Sequence, residues 1–281
     1  MSVPDSDTLR AALRDLRSSV AASAQPLVDD ALAAVETPRS PGLGGPAERP
    51  SLDPAALAEM IDHTQLRPAA SDAQIDQLCD EATTYGFGAV CVHPVYVPRV
   101  ARTLETSDVT PCTVVGFPHG ANRPATKAQE AERAIADGAR ELDMVLSLGA
   151  MTSGRFADAE ADVRAVVTAA RDVEETVEGS VPVKVILETA LLSKAEIATA
   201  CAVAQRAGAD FVKTSTGFAA TGARAEDVAL MRQVVGEDLG VKASGGVGSV
   251  ADLKRMVAHG ASRIGASGSV AIVEEARAMA E

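Results

Sequence analysis

The stretch PVKVILETALLSKAEIATACAVAQRAGADFVKTST, residues 182–216, holds one complete copy of the unit from which most of this chain is built. PVKVILE is a short apolar run rich in β-branched residues and reads as a strand. SKAEIATACAVAQRAG opens on Ser with Glu three residues later and closes on Gly, which reads as a capped helix. DFVKTST is a second strand. Outward from this unit the alternation continues at EMIDHT (59–64), AVCVHP (89–94), PCTVVGFP (111–118), ELDMVLS (141–147), GVKASGG (240–246) and SRIGAS (262–267). The segments SDAQIDQLCDEATTYG, ATKAQEAERAIADG and SVADLKRMVAHG lie between such runs and also close on Gly. Eight strand–helix units over about 230 residues predict an α/β fold, a (β/α)8 TIM barrel. A doubly wound open sheet would carry G-x-G-x-x-G after its first strand, and IDHTQLRP has none.

Ahead of the barrel, Leu9, Leu13, Leu16 and Val20 recur at helical spacing, Pro26 interrupts, and Leu27 to Val35 resume the pattern. TPRSPGLGGPAERPS (37–51) then has the composition of a linker. The expected organisation is a helical extension plus Pro/Gly linker over residues 1–50, appended to a barrel over residues 51–281.

The chain has 281 residues, 47% hydrophobic, with a formal net charge of −13. That balance argues against nucleic acid and anionic membranes as partners, while a small phosphorylated ligand could still find a local cationic pocket. No apolar run reaches the ~18–20 residues needed to cross a bilayer, and the N-terminus does not read as a secretory signal. Four cysteines without a C-x-x-C pair read as reduced thiols, and the expected location is cytoplasmic.

In a barrel, chemistry collects at the C-terminal ends of the strands. Those ends offer Asp62, His63, Thr64, Cys91, His93, His119, Asp143, Lys184, Glu188, Lys213, Thr214, Ser215, Lys242, Ser244 and Ser267. Three of the six lysines, Lys184, Lys213 and Lys242, fall inside apolar strands. Burial depresses a lysine pKa, and a second ammonium nearby depresses it further, which yields the neutral amine that attacks a carbonyl. The plainer alternative is that these lysines are held in salt bridges to Asp143 or Glu188, a reading less expected for all three together. Asp143, alone among apolar neighbours, is either structural or a partner of Lys242 in moving protons. SGG (244–246) and GASGS (265–269) follow strands seven and eight, where backbone amides often bind phosphate. The barrel-end histidines could serve a zinc aldolase or hydrolase, but no close ligand spacing appears, so ordinary polar histidines are expected.

IDHTQLRP, AVCVHPVYV, VVGFPHG, ELDMVLSLG, VKVILETALL, GADFVKTSTGF, VKASGGV and RIGASGS, in this order, closely resemble the deoxyribose-phosphate aldolase family from about Ala56 to Ala276. FVKTSTGF is the most specific of these. The resemblance implies a class I aldolase interconverting 2-deoxy-D-ribose 5-phosphate with acetaldehyde and D-glyceraldehyde 3-phosphate, in deoxyribonucleoside catabolism. It implies Lys213 as the Schiff-base lysine, Lys242 as the second lysine that perturbs it, and Asp143 as the acid of the proton relay. Gly217, Gly245, Gly246, Gly265 and Ser267 match phosphate-binding positions, with Asp62, Thr64 and Lys184 expected as further substrate-binding groups. Neither metal nor organic cofactor is implied; the partners would be small phosphorylated sugars and aldehydes, and a second or fourth copy of the chain. Two departures bear on phosphate affinity: AATGAR follows TSTGF where GTGGAT is common, and Gly268 replaces a second serine.

Overall fold

The computed structural model describes residues 6–37, 53–174 and 179–280. The chain begins with α1 (Ser6–Ser19), α2 (Gln25–Glu36) and α3 (Pro54–Glu59). It continues through β1 (Ile61–Gln65), α4 (Asp72–Tyr85), β2 (Ala89–Val92), α5 (Val97–Thr103), β3 (Thr110–Val115) and α6 (Pro124–Ala136). Then come β4 (Glu141–Val145), α7 (Leu148–Thr152), α8 (Phe156–Glu174), β5 (Val183–Ile186), α9 (Lys194–Ala207) and β6 (Phe211–Lys213). The last elements are α10 (Ala225–Val235), β7 (Gly240–Ser244), α11 (Val250–Ala258), β8 (Arg263–Ala266) and α12 (Ser269–Ala280). The strands pair in parallel and in sequence order, and β1 pairs with β8, so the sheet closes into a barrel. The expected (β/α)8 TIM barrel is what the chain forms.

The unit at 182–216 folds for the reasons its sequence supplies. Ser193 and Glu196 form a reciprocal capping box, Ser193 Oγ accepting from Glu196 N at 3.3 Å and Glu196 Oε2 accepting from Ser193 N at 2.8 Å. Gly208 ends α9 at φ 85°, a left-handed conformation that suits glycine and turns the chain into β6. The register sets Asp143 beside Lys184 and Lys213 beside Lys242. Inward-facing positions on neighbouring strands therefore meet at one height in the barrel.

The N-terminal helices form, but not as a free appendage. Leu27, Val28, Ala31 and Val35 of α2 are buried in the same core as α9 and α10, together with Leu9 and Leu13 of α1. Ten of the fourteen α9 residues are buried, including its outward-facing side, because the extension covers it. Asp30 pairs with Arg206 at 3.1 Å, and Gln233 donates to the Val35 carbonyl. The linker expected at 37–51 lies, but for Thr37, outside the described residues. Among the described residues no helix is long and apolar enough to cross a membrane, and all four cysteines are free and buried.

Candidate active site

Inward-facing positions of six strands bring an ion cluster together in the barrel. Asp143 on β4 is its centre. Its Oδ2 accepts from Lys213 Nζ at 2.7 Å and Lys242 Nζ at 2.6 Å, and its Oδ1 accepts from Lys184 Nζ at 3.0 Å. Lys242 also bonds Asp62 Oδ2. Lys184 reaches Glu141 at 2.5 Å, and Arg263 ties Asp62 (3.1 Å) to Glu141 (2.6 Å). Gly265 leaves room for this arrangement: a Cβ there would stand 2.8 Å from Ser244 Cβ and 3.1 Å from Lys242 Cε.

The cluster overturns one expectation. Burial by itself would lower Lys184 and Lys242, but the facing carboxylates outweigh it. The Lys184 ammonium, held by Asp143, Glu141 and Asp62, lies well above the ordinary lysine range, and Lys242 is likewise raised by Asp143 and Asp62. Burial would raise the two aspartates, yet Lys184, Lys213 and Lys242 hold Asp143 well below the usual carboxylate range. Lys242, Lys184 and Arg263 lower Asp62. All three barrel lysines do pair with Asp143; Glu188 instead accepts from Thr216 N and Oγ1.

Above the cluster a cleft of about 620 Å³ opens at the C-terminal ends of the strands. Lys213, Thr64, Gly217, Gly245, Gly246, Gly265 and Ser267 line it. Asp62 and Lys184, expected among the substrate-binding groups, do not: both are fully buried beneath it, as are Asp143 and Lys242. Of the three lysines, only Lys213 reaches the open space. Glu141 and Arg263 were not among the expected site residues. The signal was present, since Glu141 stands two residues before Asp143 and Arg263 two before Gly265, each on the same face of its strand.

Two groups of buried ligand atoms lie within 4.8 Å of one another, Cys91–Cys112–Asp143 and Asp62–Cys112–Glu141. Their carboxylates already neutralise Lys184, Lys242 and Arg263, and burial pushes the Cys112 thiol up. A cation there would meet ammonium groups rather than free donors, so the residues do not fit a metal. Two of the three barrel-end histidines are hydrogen-bonded within the protein. His63 Nε2 bonds Glu81 at 2.8 Å and His93 Nε2 bonds the Leu66 carbonyl at 3.0 Å, while His119 is exposed.

A family model described as DeoC/LacD family aldolase matches residues 56–272. The chain belongs to the DeoC/LacD aldolase family. Among its relatives is a deoxyribose-phosphate aldolase of Lysinibacillus sphaericus, 53% identical over 77% of this chain and 94% of that protein. Another, from Staphylococcus carnosus, is 52% identical over 77% and 95%. A solved deoxyribose phosphate aldolase of Aeropyrum pernix, described as tetrameric, superposes with TM-score 0.74 at 33% identity, covering 80% of this chain and 93% of that one. In this DeoC/LacD aldolase the family match begins after α1 and α2, so the helices that cover α9 lie outside it.

Proposed function

We propose that the chain cleaves 2-deoxy-D-ribose 5-phosphate to D-glyceraldehyde 3-phosphate and acetaldehyde through a Schiff base on Lys213. The observation that carries the reading is the division among the three lysines: two are sealed in the ion cluster and one, Lys213, faces the cleft. The names of the relatives support the substrate. The attacking amine must be neutral. Four cations (Lys184, Lys213, Lys242, Arg263) face three carboxylates (Asp62, Glu141, Asp143), one positive charge in excess.

Lys213 Nζ adds to the C1 aldehyde of the open-chain sugar, and loss of water gives an iminium. Deprotonation of the C3 hydroxyl breaks the C2–C3 bond, and its electron pair moves into the iminium to form an enamine. Glyceraldehyde 3-phosphate departs as the aldehyde. The enamine is protonated at C2, water hydrolyses the resulting imine, and acetaldehyde and the free amine are released. Asp143 and Lys242, bonded to each other, relay these protons through water. Asp62 and Lys184 act from below, by holding that relay in place. Gly217, Gly245, Gly246, Gly265 and Ser267 receive the 5-phosphate, and Thr64 contacts the sugar.

The enzyme on this reading is cytoplasmic, works in deoxyribonucleoside catabolism, and assembles as a homodimer or homotetramer, the last supported by the tetrameric Aeropyrum relative. Borohydride reduction in the presence of acetaldehyde, followed by peptide mass mapping, tests the chemistry. A two-carbon adduct on the Lys213 peptide is expected; an adduct on any other lysine, or none, overturns it.

A further inference from the structure

The loop after β1 presents an arginine to the cleft on a backbone tied down at both ends. Arg67 N donates to Gln65 Oε1 at 3.2 Å, and Ala70 N donates to the Arg67 carbonyl at 3.1 Å. From the neighbouring loop, His93 Nε2 donates to the Leu66 carbonyl at 3.0 Å and Tyr96 Oη to the Ala70 carbonyl at 2.6 Å. Pro68, whose φ is fixed by its ring, lies between these anchors. Yet the Arg67 guanidinium, exposed and lining the cleft, has no partner among the described residues. The other titratable side chains lining the cleft have partners: Lys213 pairs with Asp143 at 2.7 Å, and Glu81 accepts from Gln77 at 2.7 Å and bonds His63 at 2.8 Å.

The position of this free cation is informative. Strands β1 and β8 are neighbours, with Asp62 paired to Gly265 and His63 to Ala266, so the Arg67 loop runs beside the loop carrying Ser267. A dianion entering a protein of net charge −13 meets an unfavourable overall field, and backbone amides alone leave its charge uncompensated. An arginine fork fits phosphate oxygens bidentately.

We propose that Arg67 is the cation of the phosphate subsite: it closes the open side of the Gly245–Gly246 and Gly265–Ser267 loops and selects phosphorylated over unphosphorylated sugars. The assignment rests on the phosphosugar reading above. It makes Arg67 a binding and specificity residue remote from the bond that breaks, so its contribution belongs in KM rather than kcat.

The test compares the full-length protein with Arg67→Gln and Arg67→Lys. For Arg67→Gln, KM for deoxyribose 5-phosphate should rise roughly tenfold, the scale of one charge-assisted hydrogen bond, with kcat nearly constant. The ratio of kcat/KM for deoxyribose 5-phosphate over deoxyribose should fall by the same factor. Inhibition by inorganic phosphate should weaken in parallel, Arg67→Lys should recover most of the loss, and the difference should shrink in high salt. A KM and a phosphate inhibition constant within twofold of wild type overturn the assignment, as does an equal loss on both sugars. Should the wild-type protein leave deoxyribose 5-phosphate intact, the reading of the reaction fails instead. Calorimetric binding of inorganic phosphate to wild type and Arg67→Gln then still decides for or against Arg67: tighter binding by wild type supports it, equal binding overturns it.

Discussion

The ion cluster makes opposite demands on its acid and base members, and a pair of substitutions exposes this. Asp143→Asn leaves four cations facing two carboxylates, while Lys242→Met leaves three facing three. Asp143 accepts from three ammonium groups, all but Lys213 completely buried, so its neutralisation strands buried charge. Breaking a buried pair in this way costs about 3–5 kcal/mol, and at about 2–3 °C per kcal/mol the Tm should fall by roughly 6–15 °C. Lys242→Met removes a charge together with its need for partners and keeps most of the volume, so the loss should stay near 1–2 kcal/mol, about 2–6 °C. The two variants should also differ in pH dependence. In wild type the Lys184 and Lys242 values are raised, so their contribution is full below the unfolded value of ~10.4 and is lost only as pH climbs through the folded values. Without Asp143, burial dominates and the folded values drop, the folded state binds fewer protons than the unfolded one, and stability rises with pH. The gap between Asp143→Asn and wild type should therefore narrow between pH 7 and 9.5. Thermal melts of the three proteins at both pH values provide the measurement. A Lys242→Met variant that melts as low as Asp143→Asn, or a gap that ignores pH, would mean that packing rather than charge balance governs the cluster.

Three further outcomes can be checked directly. Deletion of residues 1–52 uncovers the α9 side sealed by Leu27, Val28 and Val35; at ~1.5–3 kcal/mol per exposed large side chain, the truncated chain should aggregate or lose more than ~10 °C in Tm. An equally stable, soluble truncation would show that these contacts contribute little. Ser267→Glu puts a negative charge on an exposed lip of the cleft and should raise KM for deoxyribose 5-phosphate severalfold at low salt, less at high salt, and leave KM for deoxyribose nearly unmoved; equal effects on both sugars would displace the phosphate from this loop. Burial holds His63 below the ordinary imidazole value against the pull of Glu81, so its contribution is present above ~pH 6.5 and lost as pH falls through the folded value. His63→Gln should flatten the decline of Tm between pH 6.5 and 5, and parallel profiles would rule the histidine out as its source.

Strand order and helix limits were legible in the sequence because each is fixed locally. Ser193 with Glu196 and Gly208 mark both ends of α9, and apolar runs such as PVKVILE form strands wherever they are read. Lys213 was equally legible, as a cation in the strand DFVKTST. What the sequence concealed depends on height in the barrel, which only the register between strands supplies. Lys184 and Lys213 look alike, each a lysine set between apolar strand residues. The pairing of Lys184 with Phe211, and of Ile186 with Lys213, puts Lys184 a layer lower, where Glu141 and Asp143 enclose it. The same stagger carries Asp62 out of the cleft and leaves Thr64, two residues on, at its floor. The expected pKa depression failed at Lys184 and Lys242 for a related reason. A lone buried ammonium is destabilised, but the carboxylates opposing Lys184 and Lys242 come from β1 and β4, and nothing in the spacing of one strand reveals what faces it across a barrel. The docking of α1 and α2 was hidden in plain composition. A helix such as α9, apolar on nearly every side, has to be covered on every side, and the segment available to cover it is the one whose Pro/Gly-rich connection suggested independence. An all-round apolar helix in an otherwise two-faced barrel is therefore the feature that locates a docked extension.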